Sequence, residues 1–245
     1  MRILIIPDIH GRQFWRAAEE MIDDYSKVVF LGDYHDPYAF EGIKTKDSGQ
    51  NFMDIVDFAQ KNRDKVLLLC GNHDLSYVDG MSVGADRYDS THEETLYEIF
   101  RDNDDLFRLA YAEDVDGTEV LFTHAGVLKT WYTNRLKGVP CNPYAIADEL
   151  NTWFEEKKNS RYLYDVGVSR GGRGVGSCVW ADVSEFADED EVMPFYQIFG
   201  HTAQRKYDDK GFIVFSDPVI TSRYACLDTA CLYELYDGQI HAIKL

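Results

Sequence analysis

Five short polar clusters, each standing at the end of an apolar run, constrain this chain more than any other feature of its sequence. They are Asp8-Ile9-His10-Gly11, Gly32-Asp33-Tyr34-His35-Asp36, Gly71-Asn72-His73-Asp74, Thr123-His124-Ala125-Gly126 and Gly200-His201-Thr202. The runs before them, at residues 2–6, 27–31, 65–70, 118–123 and 195–199, read as strands. Helical spacing fills the gaps between the first three. Residues 11–24 place Phe14, Ala17, Ala18, Met21 and Ile22 on one face, and residues 51–60 do the same with Phe52, Ile55, Val56 and Ala59. Strand and helix therefore alternate, which predicts βαβ units and a largely parallel sheet with its working groups at the carboxyl ends of the strands.

Further along, residues 91–101 and 142–157 have helical spacing, the latter with Ile146, Leu150 and Trp153 as its apolar stripe. Residues 106–112 and 118–123 read as paired strands around Asp116-Gly117. The stretch 169–177 is rich in glycine and reads as loop. Apolar runs at 211–216, 223–227, 231–236 and 239–244 predict an antiparallel portion, with a hairpin at Asp237-Gly238. The acidic stretch 188–191 reads as a solvated loop. No repeat, low-complexity segment or linker interrupts the chain, so a single domain over residues 1–245 is the economical reading.

Five of the seven histidines fall inside the clusters, four of them in the Asp-x-His, Asn-His, His-Ala-Gly and Gly-His-Thr positions. Two divalent ions about 3.5–4 Å apart need a bridging carboxylate and a mixed shell of imidazole and oxygen ligands. Aspartate and histidine two residues apart reach one ion when a strand end and its turn present both, and neighbouring glycines let the backbone come close. One such cluster is no more than a capping turn. Five, in order and each after a strand, point to a dinuclear metal centre.

The series Asp-x-His-Gly, Gly-Asp-x-x-Asp, Gly-Asn-His-Asp, His-Ala-Gly, Gly-His-Thr over residues 8–202 resembles the calcineurin-like metallophosphoesterase superfamily. The likeness is to the branch with serine/threonine protein phosphatases, phage phosphatases and diadenosine tetraphosphate hydrolases, since Ala203 stands where other branches have a second histidine. The resemblance implies an α/β fold, a four-layer α-β-β-α sandwich with mixed sheets. It implies that Asp8 and His10 hold a first metal, that Asp33 bridges both ions, and that Asn72, His124 and His201 complete the shell of the second metal. His73 would protonate the leaving group, oriented by Asp36. Metal coordination lowers the pKa of bound water from about 15.7 towards ~7, and the resulting hydroxide would attack phosphorus in line. Manganese heads the candidate metals, with iron, zinc, cobalt and nickel suited to the same N/O shell.

The sequence departs from that branch at the phosphate clamp. An Arg-Gly pair is expected after Asp36, but Pro37-Tyr38 follows. A second arginine is expected shortly after Trp180, where Ala181-Asp182 stands. Arg170 and Arg173, in the glycine-rich stretch, are the replacement candidates for substrate binding, because an arginine fork grips phosphate bidentately. His35 reads as an accessory to the metal shell or substrate, His92 and His241 as ordinary polar positions, and Tyr34 and Tyr38 as pocket lining or packing.

Charge bounds the partners. With 25 basic and 43 acidic residues the chain carries a net −18, which repels nucleic-acid backbones and anionic membranes. A phosphorylated substrate, small molecule or phosphoprotein, then needs local positive charge, which bound metals supply. The start has no long apolar stretch with a small-residue cleavage site, and no run of 18 apolar residues occurs. Five cysteines without a CxxC pair read as reduced thiols, so the expectation is a cytoplasmic protein without a membrane or nucleic-acid partner. The leading expectation is a phosphomonoesterase. The alternatives are a hydrolase of dinucleoside polyphosphates or other phosphodiesters, and a non-catalytic metal-binding module.

Overall fold

The computed structural model describes residues 1–78, 86–157 and 160–244. Its strands are β1 (Ile3–Ile6), β2 (Lys27–Phe30), β3 (Val66–Leu69), β4 (Phe107–Arg108), β5 (Ala110–Val115), β6 (Thr118–Thr123), β7 (Tyr196–Phe199), β8 (Arg205–Tyr207), β9 (Ile213–Phe215), β10 (Val219–Ile220), β11 (Tyr224–Cys226), β12 (Leu232–Tyr236) and β13 (Gln239–Ile243). The helices are α1 (Ala17–Met21), α2 (Thr45–Lys61), α3 (Asn72–Val78), α4 (Glu93–Asp102), α5 (Lys129–Arg135), α6 (Pro143–Glu155) and α7 (Val183–Ala187). The chain divides into two compact units, residues 1–108 with 232–245, and residues 109–231.

The first unit is built on a mixed sheet in the order β13-β12-β1-β2-β3-β4. The expected parallel portion is there: β1 pairs with β2, β2 with β3, and β3 with β4, all parallel. Every residue of β1 and β3 is buried, as β-branched and leucine-rich runs covered on both faces should be. Phe52, Ile55, Val56 and Ala59 of α2 all lie inward, although the helix starts six residues earlier than the apolar spacing marks. Residues 11–24 are a more serious departure. Only Ala17–Met21 is α-helical, flanked by 3-10 turns, and Trp15 rather than Phe14 fills the core. Trp15 packs its ring against Phe30 and Phe58 and donates its indole N–H to Asn51 Oδ1 at 3.0 Å, so one large side chain sets the path of this segment.

The second unit carries a sheet in the order β10-β11-β7-β6-β5 and a two-stranded ribbon of β8 and β9. The hairpin at Asp116-Gly117 forms as expected, with both residues at positive φ and Val115 paired to Thr118. The carboxyl-terminal runs are only partly antiparallel. β12 and β13 form the expected hairpin, but β11 lies parallel to β7. Residues 169–177 are mainly irregular, with a 3-10 turn at Val168–Arg170. No disulfide forms among the described residues, and no described helix is long and apolar enough to cross a membrane.

Gly32 shows how tightly the strand ends are packed. Its φ is 107°, and a Cβ there would lie 2.5 Å from the Gly71 nitrogen. Both the backbone conformation and the space exclude any larger residue. Gly32→Ala should therefore cost roughly 3 kcal/mol and lower Tm by roughly 6–12 °C, read by thermal unfolding.

Candidate active site

In the first unit, the turns after β1 and β2 are stitched together by backbone. His10 N–H donates to the Asp33 carbonyl at 2.7 Å, and Gly11 N–H to the Tyr34 carbonyl at 3.1 Å. The Asp74 carboxylate then clamps the turn after β3 to the turn after β2. Its Oδ2 accepts from the amides of Asp33 and Gly71, each at 2.7 Å, and its Oδ1 accepts from Tyr34 N–H at 3.0 Å. Burial, and then the neighbouring Asp33 carboxylate, raise the pKa of Asp74, while the three amides pull it down. Its clamp role has no signature in the sequence, because any acidic residue after Asn-His looks the same there.

These turns bring Asp8, His10 and Asp33 together, with one ligating atom of each inside a span of 4.8 Å. His10 donates Nδ1–H to the His35 carbonyl at 3.0 Å, which fixes the tautomer and turns Nε2 towards Asp33 Oδ2, 3.5 Å away. Burial pushes the His10 pKa well below its ordinary value, against the pull of Asp33. Asp33 Oδ1 accepts the His73 amide at 3.1 Å. Two buried carboxylates and a neutral imidazole fit a divalent cation, since buried negative charge is costly unless it is compensated.

Asn72 and His73 open α3, both buried. His73 Nδ1 meets Asp36 Oδ2 at 2.7 Å, and Tyr77 donates its hydroxyl to Asp36 Oδ1 at 2.6 Å. A carboxylate only accepts, so Nδ1 carries the proton and Nε2 is the nitrogen presented outward. Beside it, at 3.2 Å, lies Nη2 of Arg87, a residue that the sequence reading did not single out. The segment around Arg87 is held by Asp89. The Asp89 N–H donates to the Tyr77 hydroxyl oxygen at 2.8 Å, and its Oδ2 meets His92 Nδ1 at 2.7 Å and His35 Nε2 at 3.2 Å. Burial pushes the Asp89 pKa up, but hydrogen bonds from His92, His35 and the Thr91 amide outweigh this and hold it below the usual range. His35 is thus bonded to Asp89, while its carbonyl orients His10. Tyr34 packs on Phe52 with its hydroxyl on the Leu69 carbonyl, whereas Tyr38 stands edge-on to the His10 ring. His241 lies in β13 against Tyr236.

In the second unit, the turns after the parallel neighbours β6 and β7 bring His124 and His201 together. Their Nε2 and Nδ1 atoms converge to 3.1 Å, with both rings buried. Arg170 pairs its Nε with Asp182 Oδ2 at 2.8 Å and donates Nη2 to Thr202 Oγ1 at 3.0 Å and the His201 carbonyl at 3.3 Å. Arg173 is exposed and lines a separate cavity with Trp131, Arg135 and Asp165. The two arginines of the glycine-rich stretch therefore face different surroundings.

Backbone strain concentrates on the same residues. Nine non-glycine residues among those described have positive φ, and four of them are His10 (44°), Asp33 (54°), Asp36 (56°) and His201 (64°). Such conformations persist where the surroundings impose them, and they cluster at functional sites.

The sequence profile of the calcineurin-like phosphoesterase family matches residues 1–205. This chain belongs to that family, and it is a metal-dependent phosphoester hydrolase with the family's mixed α/β fold. Comparison with curated proteins gives no match. Among solved structures, a hypothetical protein of Pyrococcus horikoshii is 11% identical, with 100% of this chain and 87% of that chain covered at a TM-score of 0.47. A serine/threonine phosphatase of Saccharomyces cerevisiae is 15% identical, with 100% and 80% covered at 0.44. A dimetal phosphatase of Danio rerio is 13% identical, with 97% and 93% covered at 0.36.

The Asp74 clamp gives a stability test. Asp74→Ala leaves three amides without their acceptor and should cost roughly 3–5 kcal/mol in guanidinium unfolding. Asp74→Asn retains one acceptor oxygen and should fall between that variant and the parent. Parental stability in the alanine variant would contradict the clamp.

Proposed function

We propose that this chain hydrolyses phosphate monoesters, of phosphoprotein or of a small molecule, as one catalytic domain. Asp8 and His10 would hold one divalent ion, and Asp33 would bridge to a second whose shell Asn72, His124 and His201 complete. Manganese is the metal we would add first. When bound, the ions supply Lewis acidity and lower the pKa of water at the site. Arg170 is the better placed of the two glycine-rich-stretch arginines to touch substrate, because it bonds to the Gly-His-Thr segment and Arg173 does not.

The observation that carries this reading is the His73–Asp36 pair. Asp36 holds the Nδ1 proton at 2.7 Å and is itself fixed by Tyr77, so the imidazole is oriented with Nε2 outward beside the Asp8–His10–Asp33 cluster. The rings of His10 and His73 stand edge to face with centroids 5.2 Å apart. A metal-binding protein without turnover has no need of such a pair. In hydrolysis, Nε2 delivers a proton to the departing alkoxide, and the Asp36 carboxylate stabilises the charged ring from which that proton leaves.

His73→Ala should lower kcat on p-nitrophenyl phosphate roughly 10²–10⁴-fold with little change in KM, and Asp36→Asn should lower it less. Dialysis against chelator should abolish turnover, and added Mn(II) should restore it. Faster hydrolysis of bis-p-nitrophenyl phosphate or diadenosine tetraphosphate than of the monoester would replace this reading with a diesterase or polyphosphate hydrolase.

A further inference from the structure

Arg87 stands out among the cations of this acidic chain by the company it keeps. Its Nε donates to the Asp36 carbonyl at 3.0 Å, its guanidinium carbon lies 3.8 Å from the centre of the Tyr38 ring, and its Nη2 sits 3.2 Å from His73 Nε2. Among the described residues its guanidinium meets no carboxylate, although the chain has 43 acidic residues. The nearby Arg12 is different. It puts Nε on Glu41 at 2.7 Å and Nη1 on the Asp8 carbonyl at 3.1 Å, and so serves as an internal brace. Arg87 is partly exposed and at positive φ, 67°, in a segment tied down through Asp89 and Tyr77.

We propose that Arg87 binds the phosphoryl group of the substrate; this rests on the reading of the site as a phosphoester hydrolase. A guanidinium only donates, so in the substrate-free protein His73 Nε2 accepts from it. The same nitrogen is the one that must face the leaving group. Any anion that reaches His73 comes within hydrogen-bonding range of Nη2, which is tethered by Nε and stacked on Tyr38, with donors still to offer. The pairing with His73 gives the guanidinium a neutral acceptor, which a phosphoryl oxygen replaces with an anionic one. Arg87 thereby supplies the local positive charge that a chain of net charge −18 needs at this site.

The test uses the metal-loaded enzyme with Arg87→Met, which keeps the aliphatic stem on Tyr38, and Arg87→Lys. Arg63→Ala, an exposed arginine paired with Asp105, is the control. Inorganic phosphate binding is measured by titration calorimetry, alongside metal content, Tm, and kcat and KM on p-nitrophenyl phosphate. The expected result is a phosphate Kd and a KM raised roughly 10–100-fold in Arg87→Met, less in Arg87→Lys, with metal content and fold retained. Phosphate affinity within twofold of the parent in Arg87→Met would overturn the proposal. So would a loss of kcat without a loss of phosphate affinity, because Arg87 would then only position His73. If the correctly folded, metal-loaded parent binds no phosphate and turns over no phosphoester, the hydrolase reading fails and Arg87 with it.

Discussion

The first-unit site depends on one carboxylate that touches none of the proposed chemistry. Asp74 gathers the amides of Gly71, Asp33 and Tyr34, and so holds the turn after β2 against the turn after β3. Asp33 can then keep an unfavourable φ of 54° while its oxygens face His10 and the His73 amide. Gly32 and Gly71 make the clamp possible by bringing backbone to backbone with no side chain between. The placement of Asp33 here comes from amide hydrogen bonds and steric exclusion. The side chains of the cluster are presented on a frame held by these backbone contacts.

How much of this was readable in the sequence follows from range. Strand ends with Asp, His and Gly announce themselves locally, so Asp8, His10, Asp33, His73, His124 and His201 could be placed at turns after strands. The parallel order of β1, β2 and β3 followed from alternation of apolar spacing. Trp15 was passed over because the helical template favoured Phe14, and only packing against Phe30 and Phe58 shows which aromatic turns inward. The parallel pairing of β11 with β7 was hidden for a similar reason: an isolated apolar run does not say which neighbour it will join.

Arg87 is the clearest case of information absent from local sequence. It lies 51 residues after Asp36, outside all five polar clusters, and reaches the site because Tyr77 and Asp89 fasten its segment to α3. Arg170 and Arg173, in the glycine-rich stretch, carry the local look of a phosphate clamp that Arg87 lacks. In the fold Arg170 bonds to Asp182 and Thr202, while Arg173 lies exposed elsewhere in the same unit.

The pairing of β1 with β12 has a consequence for how the chain is made. Ile3–Ile5 aligns antiparallel with Tyr233–Leu235, so β1 pairs with a strand that is synthesised long after it. The intervening residues 109–231 hold all the strands of their own sheets and can close up meanwhile. Until Leu232 emerges, one edge of β1 stays open in the nascent chain, and that apolar edge is where a chaperone has most to protect.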